Sequence, residues 1–326
     1  MTQIAILALP GCLHSAVSGV IDVLTLANAL NGSPLLFPEI VTHDGEPVES
    51  YSKIPVRPER RLADATPDII LLPPIFNSLD QALAMEAVIR RLSEHRAAGG
   101  TVATACAGSF LLAETGALDG REATTHWSLA EEFRQRYPAV RLRERRMLID
   151  GGDYVCAGGV TACMDLALHL VNRYAGGEIA RQCAKFMLLD PHRELQTPYG
   201  TGGFRRDHGD AAILRVQLWL DEHYAEPIRI SDMAGQAILS ERTFLRRFQA
   251  ATGEPPARYL KQLRVEAART LLETTPLGVE GVAEAVGYTD SGTFRKVFKR
   301  IMGYSPSTHR KRFSLDAASG KRSCGS

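Results

Sequence analysis

Thr101-Val-Ala-Thr-Ala-Cys106-Ala-Gly-Ser-Phe-Leu-Leu-Ala113 sets the architecture of the first half of the chain. Its small and β-branched start reads as a buried strand. The strand runs straight into a helix, with Cys106 at the junction and Gly108 just behind it. Such a turn lifts the cysteine side chain above the carboxyl edge of a sheet, where open α/β sheets hold their ligands. A helix N-terminus behind the sulfur favours negative charge, which predicts a lowered thiol pKa.

The same alternation continues on either side. Residues 4–9, 68–72 and 154–156 read as strands. Residues 18–30, 79–98, 108–115 and 161–174 carry helical periodicity. Strands alternating with helices predict a doubly wound parallel sheet covered on both faces. Residues 188–210 are polar, hold Pro191, Pro198 and four glycines, and have no periodicity, so they read as a linker. From Ala211 onward only helices are predicted. The expected organisation is therefore an α/β domain at 1–187, a linker at 188–210, an all-α domain at 211–313 and a disordered tail at 314–326.

The composition is that of ordinary globular protein, with 45% hydrophobic and 23% charged residues, which excludes global disorder. The apolar start has no basic residues before it and is too short for a signal peptide. No apolar run approaches the ~18–20 residues of a membrane helix. A cytoplasmic protein with no membrane partner is expected. None of the six cysteines forms a C-x-x-C pair, so a structural zinc site is not expected. No other metal and no cofactor is expected either. Cys156, Cys163 and Cys183 read as small buried hydrophobes.

Two segments of the helical part repeat each other. Ser240-Glu-Arg-Thr-Phe-Leu-Arg-Arg-Phe-Gln-Ala-Ala-Thr-Gly253-Glu-Pro-Pro256 matches Asp290-Ser-Gly-Thr-Phe-Arg-Lys-Val-Phe-Lys-Arg-Ile-Met-Gly303-Tyr-Ser-Pro306 at an offset of fifty. Short amphipathic helices at 230–237 and 279–286 precede them, and a helix at 257–273 links the two. Each pair reads as helix–turn–helix. Phe244 with Phe248, and Phe294 with Phe298, lie four apart on an inner face. Arg242, Arg246 and Arg247 fall on other faces of the first helix. Arg295, Lys296, Lys299 and Arg300 do so on the second, where no acid occurs from 291 to 302. Ser240 and Asp290 are the expected N-caps. Helix N-terminal residues reach base edges in a major groove, here Ser240 and Thr243, then Ser291, Gly292 and Thr293; basic residues further along hold phosphates. The repeat suits one module entering two successive grooves ~34 Å apart. A helical bundle with solvated basic faces is the alternative, and duplication of a basic, aromatic-backed motif weighs against it.

Residues 225–313 resemble the AraC/XylS family of transcription regulators, through both helix–turn–helix units and the ending Gly-Tyr-Ser-Pro at 303–306. The resemblance implies double-stranded promoter or operator DNA as a partner and a homodimer joined through the N-terminal domain. It also implies contact with RNA polymerase and activation of transcription. His309 stands where the family has an aromatic Tyr, which is expected to loosen the last helix.

Residues 101–113, with Ala123-Thr-Thr-His126-Trp127 and Ala157-Gly-Gly-Val-Thr-Ala-Cys-Met-Asp165, resemble the PfpI-type, class I glutamine-amidotransferase-like superfamily. That implies a flavodoxin-like sheet. In the superfamily's enzymes the residue matching His126 acts as base for the cysteine. Two departures point away from catalysis. The loop after the first strand, Gly11-Cys12-Leu-His14-Ser-Ala16, puts Ala16 or a neighbour in the place of an acid. Leu72-Pro73-Pro74-Ile75 replaces the Pro-Gly-Gly whose N–H groups help form an oxyanion hole, and Pro74 has no N–H to give. A missing oxyanion donor costs ~10²–10³ in rate.

No catalytic residue is therefore expected, with Cys106 and His126 the residual candidates. A retained pocket is expected to hold a small-molecule effector against Cys106, Ala107, His126, Trp127, Cys12, His14 and Ile75. Fused regulators of this type sense amino acids, their derivatives or quaternary amines, for which Trp127 offers a cation–π wall. Other readings stay open. Cys106 also suits a tight turn as a small residue, His126 a structural role and Trp127 a plain core position. An active thiol hydrolase or amidase, or a redox sensor, fused to a DNA-binding module is the alternative function. The net charge of +1 hides two unlike parts: residues 211–313 carry 16 Lys and Arg against 11 Asp and Glu, and residues 1–210 carry 20 against 25.

Overall fold

The computed structural model describes residues 1–191, 193–197, 199–200, 204, 206 and 208–314. The expected tail from 315 on, Cys324, and several positions of the expected linker lie outside the described residues. The chain divides into two compact units, Met1–Gln196 and Thr197–Ser326. The first unit thus runs on into the stretch read as linker.

Seven strands form the sheet of the first unit: β1 (Thr2–Leu7), β2 (Leu36–Thr42), β3 (Arg60–Arg61), β4 (Ile69–Leu72), β5 (Thr101–Ala105), β6 (Leu148–Asp150) and β7 (Tyr154–Ala157). Their order is β6-β7-β5-β4-β1-β2-β3, parallel throughout except for the β6–β7 pair. The helices are α1 (His14–Asn31), α2 (Leu79–Leu83), α3 (Glu86–Ala97), α4 (Gly108–Glu114), α5 (Ala130–Arg136), α6 (Ala162–Ala175) and α7 (Gly177–Phe186). Alternation along β1 shows why both faces are covered. Ile4 and Ile6 enter a core with α1, α6 and α7, whereas Ala5 and Leu7 enter a second core with α2 to α5. The sheet order reverses beside β1 and β4, so the carboxyl ends of β4 and β5 open onto a topological switch point.

Two local readings change. The helix expected at 79–98 is two helices, because its apolar stripe slips from Leu79 and Leu83 to Val88 and Leu92, five residues on rather than four. Strand β2 had no clear signal, since it contains Pro38. Pro38 is tolerated because β3 pairs only with Val41 and Thr42, leaving that edge open at the proline.

The second unit is helical: α8 (Ala211–His223), α9 (Ile230–Ala237), α10 (Glu241–Thr252), α11 (Pro256–Thr274), α12 (Val279–Ala285), α13 (Ser291–Met302) and α14 (Pro306–Phe313). One small core gathers α8, α9, α10 and the start of α11 around Phe244, Phe248 and Tyr259. A second gathers the rest of α11 with α12 and α13 around Phe294, Phe298 and Met302. The matched glycines and prolines of the repeat have a backbone reason. Gly253 (φ +78°) and Gly303 (φ +85°) end α10 and α13 in the left-handed conformation, and Pro256 and Pro306 begin the next helices.

His309 does not loosen α14. Its ring is wholly buried, lies within 5.7 Å of the Phe298 ring and 4.7 Å of the Phe313 ring, and Nε2 meets Glu273 Oε1 at 2.7 Å. Burial holds its pKa below the usual value, against the pull of Glu273. Among the described residues, no helix is long and apolar enough to cross a membrane.

Candidate functional site

Cys106 takes a left-handed backbone (φ +55°), which costs a non-glycine residue about 1–3 kcal/mol and persists only where its surroundings over-determine it. The surroundings are on hand. The Cys106 N–H donates to Ala157 O at 2.8 Å, and its carbonyl accepts from Ser109 Oγ and Thr125 Oγ1, both at 3.0 Å. Gly108 sits in close packing, since a Cβ there would stand 3.1 Å from the Leu72 carbonyl oxygen, tighter than most such contacts. The elbow therefore forms as the sequence predicts, but the thiol does not acidify. Cys106 is only 4% exposed, and burial pushes its pKa up to about 12, outweighing the favourable N–H of Ala107.

A cavity of about 550 Å³ opens above this turn. It brings together four of the expected ligand residues, Ile75, Cys106, Ala107 and His126. It does not include Cys12, His14 or Trp127. Cys12 is fully buried and bridges Ile75 through the backbone, and His14 begins α1. Trp127 donates its N–H to Gln196 Oε1 (3.2 Å) and tilts against the His126 ring, so it gives the cavity no cation–π wall.

The walls that sequence reasoning missed come from 76–81, from Ser128 to Glu132, and from Val160. The segment after β4 is tied to the loop after β1 by Leu13 N–H to Pro74 O, Phe76 N–H to Gly11 O and Ser78 Oγ to Pro10 O, the last at 2.6 Å. Gly11 (φ +73°) is obligatory, because a Cβ would lie 2.0 Å from Ser78 Oγ. Two carboxylates line the cavity, Asp80 on α2 and Glu132 on α5. Arg136 reaches both, at 2.8 and 2.9 Å. Neither was legible, since each reads locally as a solvated helix charge.

His126 is poorly disposed to serve as a base. Its Nδ1 accepts the Ser128 N–H at 3.2 Å and faces Ser128 Oγ at 2.7 Å, which leaves the proton on Nε2. Burial lowers its pKa, so the ring is neutral at pH 7. The segment carrying it is held by Gln196, 2% exposed, whose Nε2 reaches Thr125 O at 2.8 Å. A polar residue of the expected linker is thus a buried support of the site. Among the described residues, no group of three or more His, Cys, Asp or Glu side chains is placed to hold a metal ion.

In the second unit, the outer faces of α10 and α13 carry the basic residues. Ser240, Arg242, Arg246, Gly292, Thr293, Arg295, Lys296, Lys299 and Arg300 are exposed, and Thr243, Arg247 and Ser291 half-buried. Asp290 caps α13, accepting from the N–H groups of Gly292 (3.1 Å) and Thr293 (2.7 Å). Ser240 sits at the matching position of α10, but its hydroxyl bonds Thr243 Oγ1 (3.0 Å) rather than the backbone. Arg247 makes a bidentate pair with Asp210 at 2.7 and 2.9 Å, and Arg295 pairs with Glu280, so these two are engaged within the protein.

Residues 18–173 match the DJ-1/PfpI family, and residues 233–312 match a helix-turn-helix domain family. The HTH-type transcriptional regulator CdhR of Pseudomonas aeruginosa is 27% identical, over 95% of this chain and 92% of that protein. The HTH-type transcriptional regulator GlxA of Rhizobium meliloti is 29% identical, over 70% of each. Among solved structures, an AraC family transcriptional regulator from Pseudomonas putida matches 57% of this chain and 100% of its own, with 20% identity and a TM-score of 0.52, a likeness of fold.

Proposed function

We propose that this chain, which belongs to the AraC-type DNA-binding transcriptional regulators with a DJ-1/PfpI-type N-terminal domain, reads its operator through α10 and α13 and responds to a small organic cation held above Cys106. The carrying observation for DNA is α13. It has no acid from Ser291 to Met302, and Arg295, Lys296, Lys299 and Arg300 stand exposed over the buried Phe294–Phe298 pair. Of these, Lys299 has the simplest expected role, a phosphate contact. Lys299→Ala is expected to weaken binding evenly across sequences and to flatten the slope of log K against log salt by about one. Unchanged slope and affinity, measured by fluorescence anisotropy over a salt series, would remove α13 from the interface.

For the effector, Asp80 and Glu132 share the single cation of Arg136, so the pair keeps a net negative charge beside the apolar floor of Ile75 and Ala107. That combination favours an amine, a quaternary ammonium or a basic amino acid over an anion. A ligand that binds only the folded state raises its melting temperature. A thermal-shift screen on the intact chain is expected to give hits among cations, lost in the Asp80→Asn, Glu132→Gln double variant. Hits confined to anions would sink the charge reading. The high thiol pKa, the occupied Nδ1 of His126 and the absent N–H of Pro74 support a cavity that binds without turnover. Activation of transcription, contact with RNA polymerase, assembly of a homodimer through the N-terminal domain and a cytoplasmic location complete the proposal, on the strength of the family likeness.

A further inference from the structure

The two helix–turn–helix cores meet at the middle of α11, where Leu263 belongs to the first and Val265 to the second. Arg264 stands between them. Its guanidinium does not reach outward. Nε donates to Tyr224 O and an Nη to Glu226 O, both at 2.7 Å, in the loop that follows α8. The same guanidinium lies over the Tyr288 ring, 5.5 Å from its centre, at the turn between α12 and α13. Tyr224 packs against both cores. Gly287 closes the joint from the other side. Its φ is +81°, and a Cβ there would stand 2.3 Å from the Ala225 carbonyl oxygen. One planar, five-donor group thus ties the end of the first module to the turn of the second, and one glycine lets their backbones touch.

We propose that Arg264 and Gly287 are positioning residues for bipartite DNA reading: they fix the second reading helix, α13, relative to the first, α10, and so set the spacing between the two halves of the site. The proposal rests on α10 and α13 being the DNA-reading helices. Neither residue is placed on DNA; both act through the backbone of the 224–226 loop and the 287–288 turn. Arg264 would resemble any structural arginine in a stability measurement. Spacing preference separates the two roles, because duplex rotates about a full turn every 10–10.5 base pairs, so an added pair turns one half away from a rigid reader.

The test uses the full chain. A bound duplex is selected from a random-sequence pool by the wild-type protein. Affinity is then measured for that duplex with one, two or three base pairs inserted between its halves. Wild type is expected to lose about tenfold or more at the first insertion, and Arg264→Ala about threefold or less across the series, since a loosened joint lets each module follow its own groove. Arg264→Lys, which cannot span both carbonyls and lie flat on Tyr288, is expected to fall between them. If Arg264→Ala does not fold, Arg264→Lys and Gly287→Ala are read on the same series. A variant that loses affinity by one factor at every spacing, or keeps the wild-type profile, overturns the proposal. A wild-type chain that enriches no sequence overturns the DNA reading beneath it.

Discussion

Phe298→Ala is expected to destabilise the second helix–turn–helix core by about 3–5 kcal/mol and to abolish operator binding. The side chain has no solvent exposure and stands edge-on to Phe294 at 5.6 Å and to His309 at 5.7 Å. The core around it is small, eight buried residues from α11, α12 and α13 with Val286 just after α12, so little neighbouring material can collapse into the void. For a unit of this size each kcal/mol shifts Tm by roughly 4–8 °C, so calorimetry of the full chain should register a fall of more than about 10 °C in the transition of the DNA-binding unit. DNA affinity should fall with it, because α13 presents its basic face only while its Phe face is docked. Phe248→Ala, at the matching position of the first module, should behave alike, since Phe248 is equally buried and stands edge-on to Tyr259 at 5.2 Å. A melting temperature unmoved in both would contradict the assignment of these rings as the two cores.

The second large effect is chemical silence at Cys106. Burial pushes the Cys106 pKa up to about 12, so the thiolate is scarce at pH 7 and far scarcer than in an ordinary cysteine. Native chain treated with iodoacetamide at pH 7 should therefore show Cys106 unmodified by mass spectrometry at times when a free thiol has reacted fully. Peroxide should leave DNA binding unchanged for the same reason. Rapid labelling of Cys106, or a peroxide effect that vanishes in Cys106→Ala, would restore the redox or hydrolase reading. The sulfur keeps the elbow's geometry at the cavity floor without the charge that activation requires.

The contrast between Cys106 and Phe298 marks how far local sequence carries. Phe294 and Phe298, Gly303 and Pro306 are fixed by spacing alone, because helix periodicity and left-handed caps depend on neighbours a few residues away. The turn at Cys106 is local too, and it forms where expected. Its protonation is not local. The helix N-terminus argues for a thiolate, yet Cys106 belongs to a core that gathers residues of β4 and β7 with Ala123 and Phe133, and desolvation prevails. Asp80, Glu132 and Gln196 escape notice likewise, as polar residues in amphipathic or linker stretches whose meaning lies in what they face.

By itself, the sequence determined two modules of different class, a strand–elbow–helix at Cys106, and a duplicated helix–turn–helix with a basic outer face. Those follow from period, turn chemistry and charge, which act within a few residues. Only the tertiary structure decided that the thiol is buried and protonated, that Trp127 and Cys12 do not line the cavity while Asp80 and Glu132 do, and that Arg247 and Arg264 are paired with groups of the protein itself. Each of those depends on groups brought together from distant parts of the chain, and burial or pairing, not residue type, sets what the group can do.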